Sequence, residues 1–457
     1  MADAARGTGT PARIAVVGGG WAGCAAAVTL ASAGIAVTLI EQAKTLGGRA
    51  RRVIVDDVAL DNGQHLIIGA YRQTLELIEA VHGAERTVSL FRRLPLTLRP
   101  FGSTNPDAVE FRAWRAPAPW HLAGALLATR GLSVAERIAL LVDYRRIARA
   151  GFRCASGQTV AECFARTPAR PFAAFWVPLC LAALNTPPDA ASAQIFAEVL
   201  RAAFAGTARD SDFLVPRVDL TACFPDAAAR QVAERGGIVR LGVTVRAIAR
   251  DGIGAALAIG ERTETFDAVI VAVGPHQLAA TLGEDAARDS AWGPALAQVS
   301  AFAYESITTI YLAFTKAIPF PVPLLRLDDA PGHWAFDRSD ALLAGDDAKG
   351  LVAVVISAGG PHDHLDHPAL AKAAEAQMRR LSPNLPLVAW SRVIAERRAT
   401  YACRPALSRP VHGKVAGSLY LAGDYTDADF PATLEAATRS GVAAARALIA
   451  ERGDRAR

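Results

Sequence analysis

The sequence predicts an α/β protein, with a parallel sheet assembled from separated parts of the chain and an α+β domain inserted between them. Three stretches carry that prediction. Ile14-Ala-Val-Val17 is an apolar run that enters a glycine cluster, and Ile35-Ala-Val-Thr-Leu-Ile40 is a second run that ends on Glu41. Near the other end of the chain, Leu419-Tyr-Leu-Ala422 runs into Gly423 and Asp424. Short continuous apolar runs closed by turn residues read as strands buried on both faces, as in a parallel sheet.

The first run leads into Gly18-Gly19-Gly20-Trp21-Ala22-Gly23, which fits G-x-G-x-x-G, and an alanine-rich helical pattern follows from Ala22 to Ala33. Strand, glycines, helix, second strand and terminal acid stand in the order of a Rossmann βαβ unit. Gly18 allows the tight turn, Gly20 lets a pyrophosphate approach the backbone, and Gly23 lets the helix lie close to the strand. Trp21 and Ala22 sit within the same fingerprint. The helix N-terminus offers unpaired N–H groups and a partial positive charge to phosphates. Glu41 can accept from a ribose hydroxyl, and an acid at that position disfavours a 2′-phosphate, so NADP is not expected here.

Gly47-Gly48-Arg49 follows directly. A domain that holds only NAD has no need of it. The pair of glycines with an arginine resembles the second FAD contact of the glutathione-reductase-like flavoproteins, specifically the amine oxidase and carotenoid desaturase group. The resemblance makes FAD the expected cofactor, with main chain against it at the glycines and Arg49 adding charge near phosphate or flavin.

In the same group, an acid placed like Asp424, after the turn at Gly423, binds the ribityl or pyrophosphate region. A helix is expected to begin near Pro431, whose fixed φ suits a first helical position. Thr433 is counted with the cofactor contacts, and the small residues from Ala432 to Gly441 let this helix pack closely. Its N-terminus is expected to face the pyrimidine edge of the flavin. There the helix dipole would favour the reduced, negatively charged form by roughly 1–2 kcal/mol, or about 20–40 mV for two electrons. Two middle runs complete the sheet. Ile238 to Val245 alternates like one strand, with Val245 and Ile248 matching the desaturase pattern beside the adenine, and Phe266 to Val273 is a buried strand that stops at Gly274-Pro275. The FAD domain is therefore expected to be discontinuous, over 1–75, 215–285 and 405–457. Residues 76–214 and 286–404 would build the substrate-binding domain.

In the first insert, Leu126, Leu127, Val134, Ile138, Leu141 and Val142 recur at helical spacing, interrupted at Gly131 and followed by Arg145, Arg146 and Arg149. With Trp114 and Trp120 this set is compatible with a membrane interface. An amphipathic helix packed on the core is the plainer reading. In the second insert, Ser306 to Phe314 and Leu351 to Ser357 read as strands that could roof a pocket over the flavin. His362, His364 and His367 have a metal-like look, but they follow Gly-Gly-Pro without a helix or hairpin context and read as a polar loop, so no metal is expected.

Composition narrows the function classes. Hydrophobic residues make up 52% and charged residues 20% of the 457, a globular and somewhat apolar balance. The net charge is only +5, and no basic block suggests a nucleic-acid partner. None of the six cysteines forms C-x-x-C, which fits reduced thiols in a cytoplasmic protein. The segment MADAARGTGTPAR lacks the apolar run of a leader and reads as a loose tail. There is no G-x-S-x-G and no second dinucleotide fingerprint, so any reducing equivalents would come from an electron donor that the sequence does not identify.

Three longer segments sharpen the resemblance: VVGGGWAGCAAAVTLA, ALDNGQHLIIGAYRQTLELI and LAGDYTDADFPATLEAATRSG. With LVPRVDLTACFPD, they closely resemble the hydroxysqualene dehydroxylases, also called squalene-associated FAD-dependent desaturases. That resemblance implies FAD-dependent reduction of hydroxysqualene to squalene in bacterial hopanoid synthesis, with a long-chain isoprenoid substrate. Location is read from the residues instead: a cytoplasmic protein, with any membrane contact peripheral on the inner face. Gln64 and His65, in Asp61-Asn-Gly-Gln-His65, fall where the chain can approach the flavin. His65 is the first choice of proton donor because histidine titrates near working pH, and Tyr71 and Tyr425 are weaker candidates. Two alternatives stay open: a phytoene-type desaturase working in the oxidative direction, and a non-enzymatic prenyl-binding protein of the same architecture.

Overall fold

The computed structural model describes residues 13–102, 108–117, 119–252, 254–341 and 349–455. The N-terminal tail read from the sequence lies almost wholly outside them. Helices and strands are defined here as β1 (Ile14–Val17), α1 (Trp21–Ser32), β2 (Val37–Glu41), α2 (Trp120–Leu127), α3 (Val134–Arg149), α4 (Val177–Leu184), α5 (Ala193–Phe204), β3 (Ile238–Leu241), β4 (Ala268–Val271), β5 (Tyr304–Phe314), β6 (Leu324–Arg326), β7 (Trp334–Asp337), β8 (Gly350–Ser357), β9 (Val388–Tyr401), β10 (Gly413–Ala416), β11 (Leu419–Leu421) and α6 (Leu434–Arg455).

One sheet has the strand order β3-β2-β1-β4-β11-β10. All pairs are parallel except β10 with β11. Every side chain of β1 and β4 is buried, which is why these runs carry no polar alternation. β1 lies between β2 and β4, so the strand order reverses beside its carboxyl end, where open parallel sheets bind ligands. Helices α1 and α6 cover one face, and their small residues let the backbones approach. A Cβ on Gly441 would come 2.1 Å from the carbonyl oxygen of Ala22.

The second sheet is antiparallel in the order β6-β7-β8-β5-β9. It packs with α2 to α5 around a large apolar core that includes Phe111, Phe164, Trp176, Phe196 and Phe336. Arg338, just past β7, forms a fully buried ion pair at 3.1 Å with Asp61, which ends the short strand Val58–Asp61 of a separate two-stranded hairpin, each side chain 1% exposed. Asp61 also accepts from the Leu220 N–H, and Arg338 donates to the Pro216 carbonyl. Burial pushes the Asp61 carboxyl up to about 6, against the opposing pull of Arg338 and Leu220.

Several sequence expectations are corrected. Ile238 to Val245 is not one strand. Gly242, at φ +69°, turns the chain after β3, and Val245 opens a three-stranded meander that returns to β4. Asp267 likewise separates Phe266, the last residue of that meander, from β4. The C-terminal helix begins at Leu434 rather than near Pro431, because Thr433 caps it by accepting from the Ala436 N–H at 3.1 Å. The largest reversal concerns the first insert. Its residues are helical as expected, but α3 turns Leu140, Tyr144 and Ile147 to the core and leaves Val134, Ile138 and Val142 exposed. Of the six residues read as one core-packed set, Leu126 is buried and Leu141 packs against the core, whereas Leu127, Val134, Ile138 and Val142 point outward.

All six cysteines are free thiols. His362 and His364 lie in a turn and His367 begins a helix capped by Asp366. Among the described residues no group of three potential metal ligands is gathered. No helix among them is long and apolar enough to cross a membrane.

Candidate active site

A cavity of about 570 Å³ runs from the carboxyl end of β1 into the second core. Of the residues singled out from sequence, Gly18, Gly20, Trp21, Ala22, Glu41, Gly47, Gly48, Arg49, Gln64, His65, Val245, Gly423, Asp424 and Thr433 all line it. Gly23 does not. It stands behind the cavity, where a Cβ would fall 1.8 Å from the Gly18 carbonyl oxygen. Tyr71 lines the cavity, whereas Tyr425 is fully buried outside it, under Gly423.

The polar end is built from backbone. Gly18 holds φ at +105°, and a side chain there would strike the Ala272 carbonyl. The two glycine loops lie against each other: the Gly47 N–H donates to the Gly19 carbonyl at 2.8 Å, and a Cβ on Gly48 would sit 3.2 Å from the Gly20 Cα. No side chain caps α1 and its first turn has no acid, so its leading N–H groups remain free for an anion. Trp21 pins this end of the helix by donating its indole N–H to the Ala50 carbonyl at 3.0 Å. The Glu41 carboxylate accepts from the Gly19 N–H at 2.6 Å and the Ala43 N–H at 2.7 Å, which fixes its plane at the cavity wall. Val243 and Val245 close that side. Bare backbone, free helical N–H groups and a fixed acid fit a dinucleotide such as FAD.

Farther along the polar part, Arg49 meets Asp424 at 2.5 Å across 375 positions of sequence, and it donates to the Ala399 carbonyl at 2.7 Å. Burial alone would lower the Arg49 pKa, but Asp424 outweighs it and the net shift is upward. The Asn62 side-chain amide donates to the Arg49 carbonyl and to Glu396. Gln64 donates to the Tyr311 hydroxyl at 2.6 Å, and that hydroxyl donates on to the Asp61 carbonyl at 2.9 Å. Asn62, Glu396 and Tyr311 were not identified from sequence. Asn62 lies inside the quoted Asp61–His65 segment, but Glu396 and Tyr311 sit in long strands without a local motif.

His65 is held in a protonation state unlike that of a free imidazole near working pH. Its Nδ1 lies 3.3 Å from the Gly63 carbonyl, which can only accept, so Nδ1 carries the proton in the neutral ring. Burial lowers its pKa to about 4, with the Gly63 carbonyl opposing and Arg49 adding to the fall. The ring is neutral near pH 7, and Nε2 presents a lone pair rather than a proton. Beyond His65 the cavity turns apolar, with Leu96, Leu179, Phe196, Leu200, Trp334 and Phe336 on its walls.

Segments from opposite ends of the chain that close on one glycine-lined cleft, opening into a greasy chamber, define an FAD-dependent oxidoreductase. The chain belongs to the flavin containing amine oxidoreductase family, whose profile matches residues 21–449. Within it, the chain is 31% identical over 460 residues to hydroxysqualene dehydroxylase of Rhodopseudomonas palustris, an alignment spanning 95% of this chain and 98% of that protein. It is 27% identical to hydroxysqualene dehydroxylase of Sinorhizobium fredii, over 96% of this chain and 99% of that one. Among solved structures, an oxidoreductase from Methanosarcina mazei shares the fold at a TM-score of 0.69 and 16% identity, covering 94% of this chain and 98% of that one.

Proposed function

We propose that the protein reductively removes the hydroxyl of hydroxysqualene to give squalene. The observation that carries this is one continuous cavity with glycine backbone and charged groups at one end and hydrocarbon side chains at the other. Its full-length kinship with two hydroxysqualene dehydroxylases supports the choice of substrate. The net change takes in two electrons and two protons, forms a C–H bond and releases water. FAD, when bound and reduced, supplies the hydride.

The remaining work falls to the chain. The free N–H groups of α1 and the Gly18–Gly20 and Gly47–Gly48 loops would hold the pyrophosphate. Glu41 would hold the ribose, and Arg49, Asp424 and the start of α6 the flavin end. The apolar walls align the hydrocarbon and exclude water, which strengthens every charge interaction inside. His65, neutral with Nε2 unprotonated, accepts a hydrogen bond from the substrate hydroxyl and orients it. Its cationic form, about one part in a thousand at pH 7 for a pKa near 4, is the stronger acid that protonates the leaving oxygen. Turnover should then rise as pH falls from neutrality, without levelling near 6.5, and His65→Gln should flatten that rise while FAD stays bound.

The deciding experiment gives hydroxysqualene to photoreduced enzyme and phytoene to oxidised enzyme, both under anaerobic conditions. Flavin reoxidation with appearance of squalene is expected. Conversion of phytoene by the oxidised enzyme, with hydroxysqualene untouched, would overturn the proposal in favour of a desaturase. A short 36% match over 107 residues to hydroxyneurosporene desaturase of Rubrivivax gelatinosus is the observation behind that second reading.

A further inference from the structure

Six of the twelve exposed large apolar side chains among the described residues fall within one short stretch: Trp114, Trp120, Leu127, Val134, Ile138 and Val142. Trp120 and Val134 are each 67% exposed. Along α3, Val134, Ile138 and Val142 follow at four-residue steps, and Arg145 and Arg149 continue the same stripe. The buried residues Leu140, Tyr144 and Ile147 lie on the opposite side, so α3 is apolar on two faces and the fold uses only one. On α2, Trp120 and Leu127 share a stripe, and the Trp114 ring lies over Gly124 between them, where a Cβ would come within 2.2 Å of it.

Charge follows the same pattern. Helix α3 carries four arginines and two acids. Both acids are engaged: Glu136 in the cap at Ser133 and with Arg170, Asp143 buried against Thr167. Arg145 and Arg149 are exposed. Amphipathic aromatics beside aliphatic residues and a basic end match the headgroup region of an anionic bilayer.

We propose that the exposed face of α2 and α3 is a docking surface for an anionic lipid bilayer. Its position gives the contact a purpose. Arg170, which braces α3 through Glu136 and the Gly131 carbonyl, belongs to the segment that continues into α4, and Leu179 and Leu181 of α4 line the cavity. The surface therefore lies one element away from the chamber wall. Only that purpose rests on the isoprenoid reading of the substrate. The binding does not.

The test is flotation of the FAD-loaded protein with substrate-free vesicles, either of phosphatidylcholine alone or with added phosphatidylglycerol. Wild type should bind the anionic vesicles, less so at high salt. Ile138→Glu with Val142→Glu should lose at least tenfold in partitioning. Arg145→Gln with Arg149→Gln should lose roughly 25-fold, from about 1 kcal/mol per basic residue at 1.4 kcal/mol per decade. Val411→Glu, at a site 77% exposed elsewhere on the molecule, should change nothing. Retained flavin absorbance shows that each variant is folded. The proposal is overturned if wild type stays unbound, or if the glutamate variant floats as well as wild type. It is equally overturned if that variant instead splits a dimer of the chain in solution, which would make a second copy the occupant. Conversion of substrate in detergent is unaffected by any of these results, so failure here and failure of the proposed reaction can be told apart.

Discussion

Gly441→Ala sets two effects against each other. Gly441 lies inside α6, where exchanging glycine for alanine favours an isolated helix by about 1 kcal/mol. The packing predicts the reverse. The added methyl would stand 2.1 Å from the Ala22 carbonyl oxygen and 3.1 Å from the Ala25 methyl, and ordinary contact begins at 3.4 Å. Helices α1 and α6 would have to part by about 1.3 Å. The obstacle is backbone, which cannot rotate aside, so an overpacking cost of about 1–3 kcal/mol is expected. Both helices present their N-terminal ends to the cavity, so much of this cost should appear as weaker FAD binding, roughly 5- to 150-fold at 1.4 kcal/mol per decade. Titration of apoprotein with FAD, followed by flavin fluorescence, gives the affinity, and thermal unfolding gives the stability. Gly453→Ala in the same helix, where nothing lies within 4 Å, serves as the control and should be neutral or stabilising by up to about 1 kcal/mol. Wild-type FAD affinity with raised stability in Gly441→Ala would refute the close-packing argument.

Three further outcomes follow from the site and the core. The pKa of His65 is depressed from 6.5 to about 4 in the folded protein, so its contribution to stability is present above pH 6.5 and is lost as pH falls toward 4. Relative to His65→Gln, wild type should lose at most about 3.4 kcal/mol across that window, less to the extent that the ring opens to the cavity, and urea midpoints at several pH values measure it. Arg338→Met leaves Asp61 buried without its partner and should cost about 3–5 kcal/mol in denaturant unfolding, with Asp61→Asn added to it restoring part of the loss. Asp424→Asn removes the charged partner of Arg49. Because Arg49 is 27% exposed to the cavity, the loss is discounted to about 1–2 kcal/mol, and equilibrium dialysis should show FAD held roughly 5- to 30-fold more weakly.

The sequence made the polar half of the cavity legible because its requirements are local. A turn at Gly18, a close approach at Gly23 and an acid at Glu41 each fall within one short strand–helix–strand unit, and each role is visible in the residue type. Other features depend on partners distant in sequence. The choice of buried face on α3 could not be read, because the helix is apolar on both sides and periodicity reports a stripe without saying what packs on it. Glu396 and Tyr311 reach the site from strands whose pattern only reports burial. The start of α6 was placed early because Pro431 is a good first residue, but Thr433 makes the capping bond that defines the helix. For His65 the reference pKa misleads, because desolvation inside the folded chain, which residue type does not report, holds the ring in its neutral form.

The pairing of Arg49 with Asp424 has a consequence for how the protein acquires its cofactor. The parallel sheet takes β1 and β2 from the start of the chain, β3 and β4 from the middle, and β10 and β11 from the end. The cavity adds walls from both inserts. No contiguous piece of the chain contains the site, so FAD binds only the state in which all of these segments have met. Binding restricted to the native state raises apparent stability by mass action, and here that gain must fall on the whole molecule. Apoprotein and holoprotein should therefore differ in unfolding midpoint at probes in either core, and a midpoint that moves in the Rossmann core alone would show that the second core folds and unfolds without it.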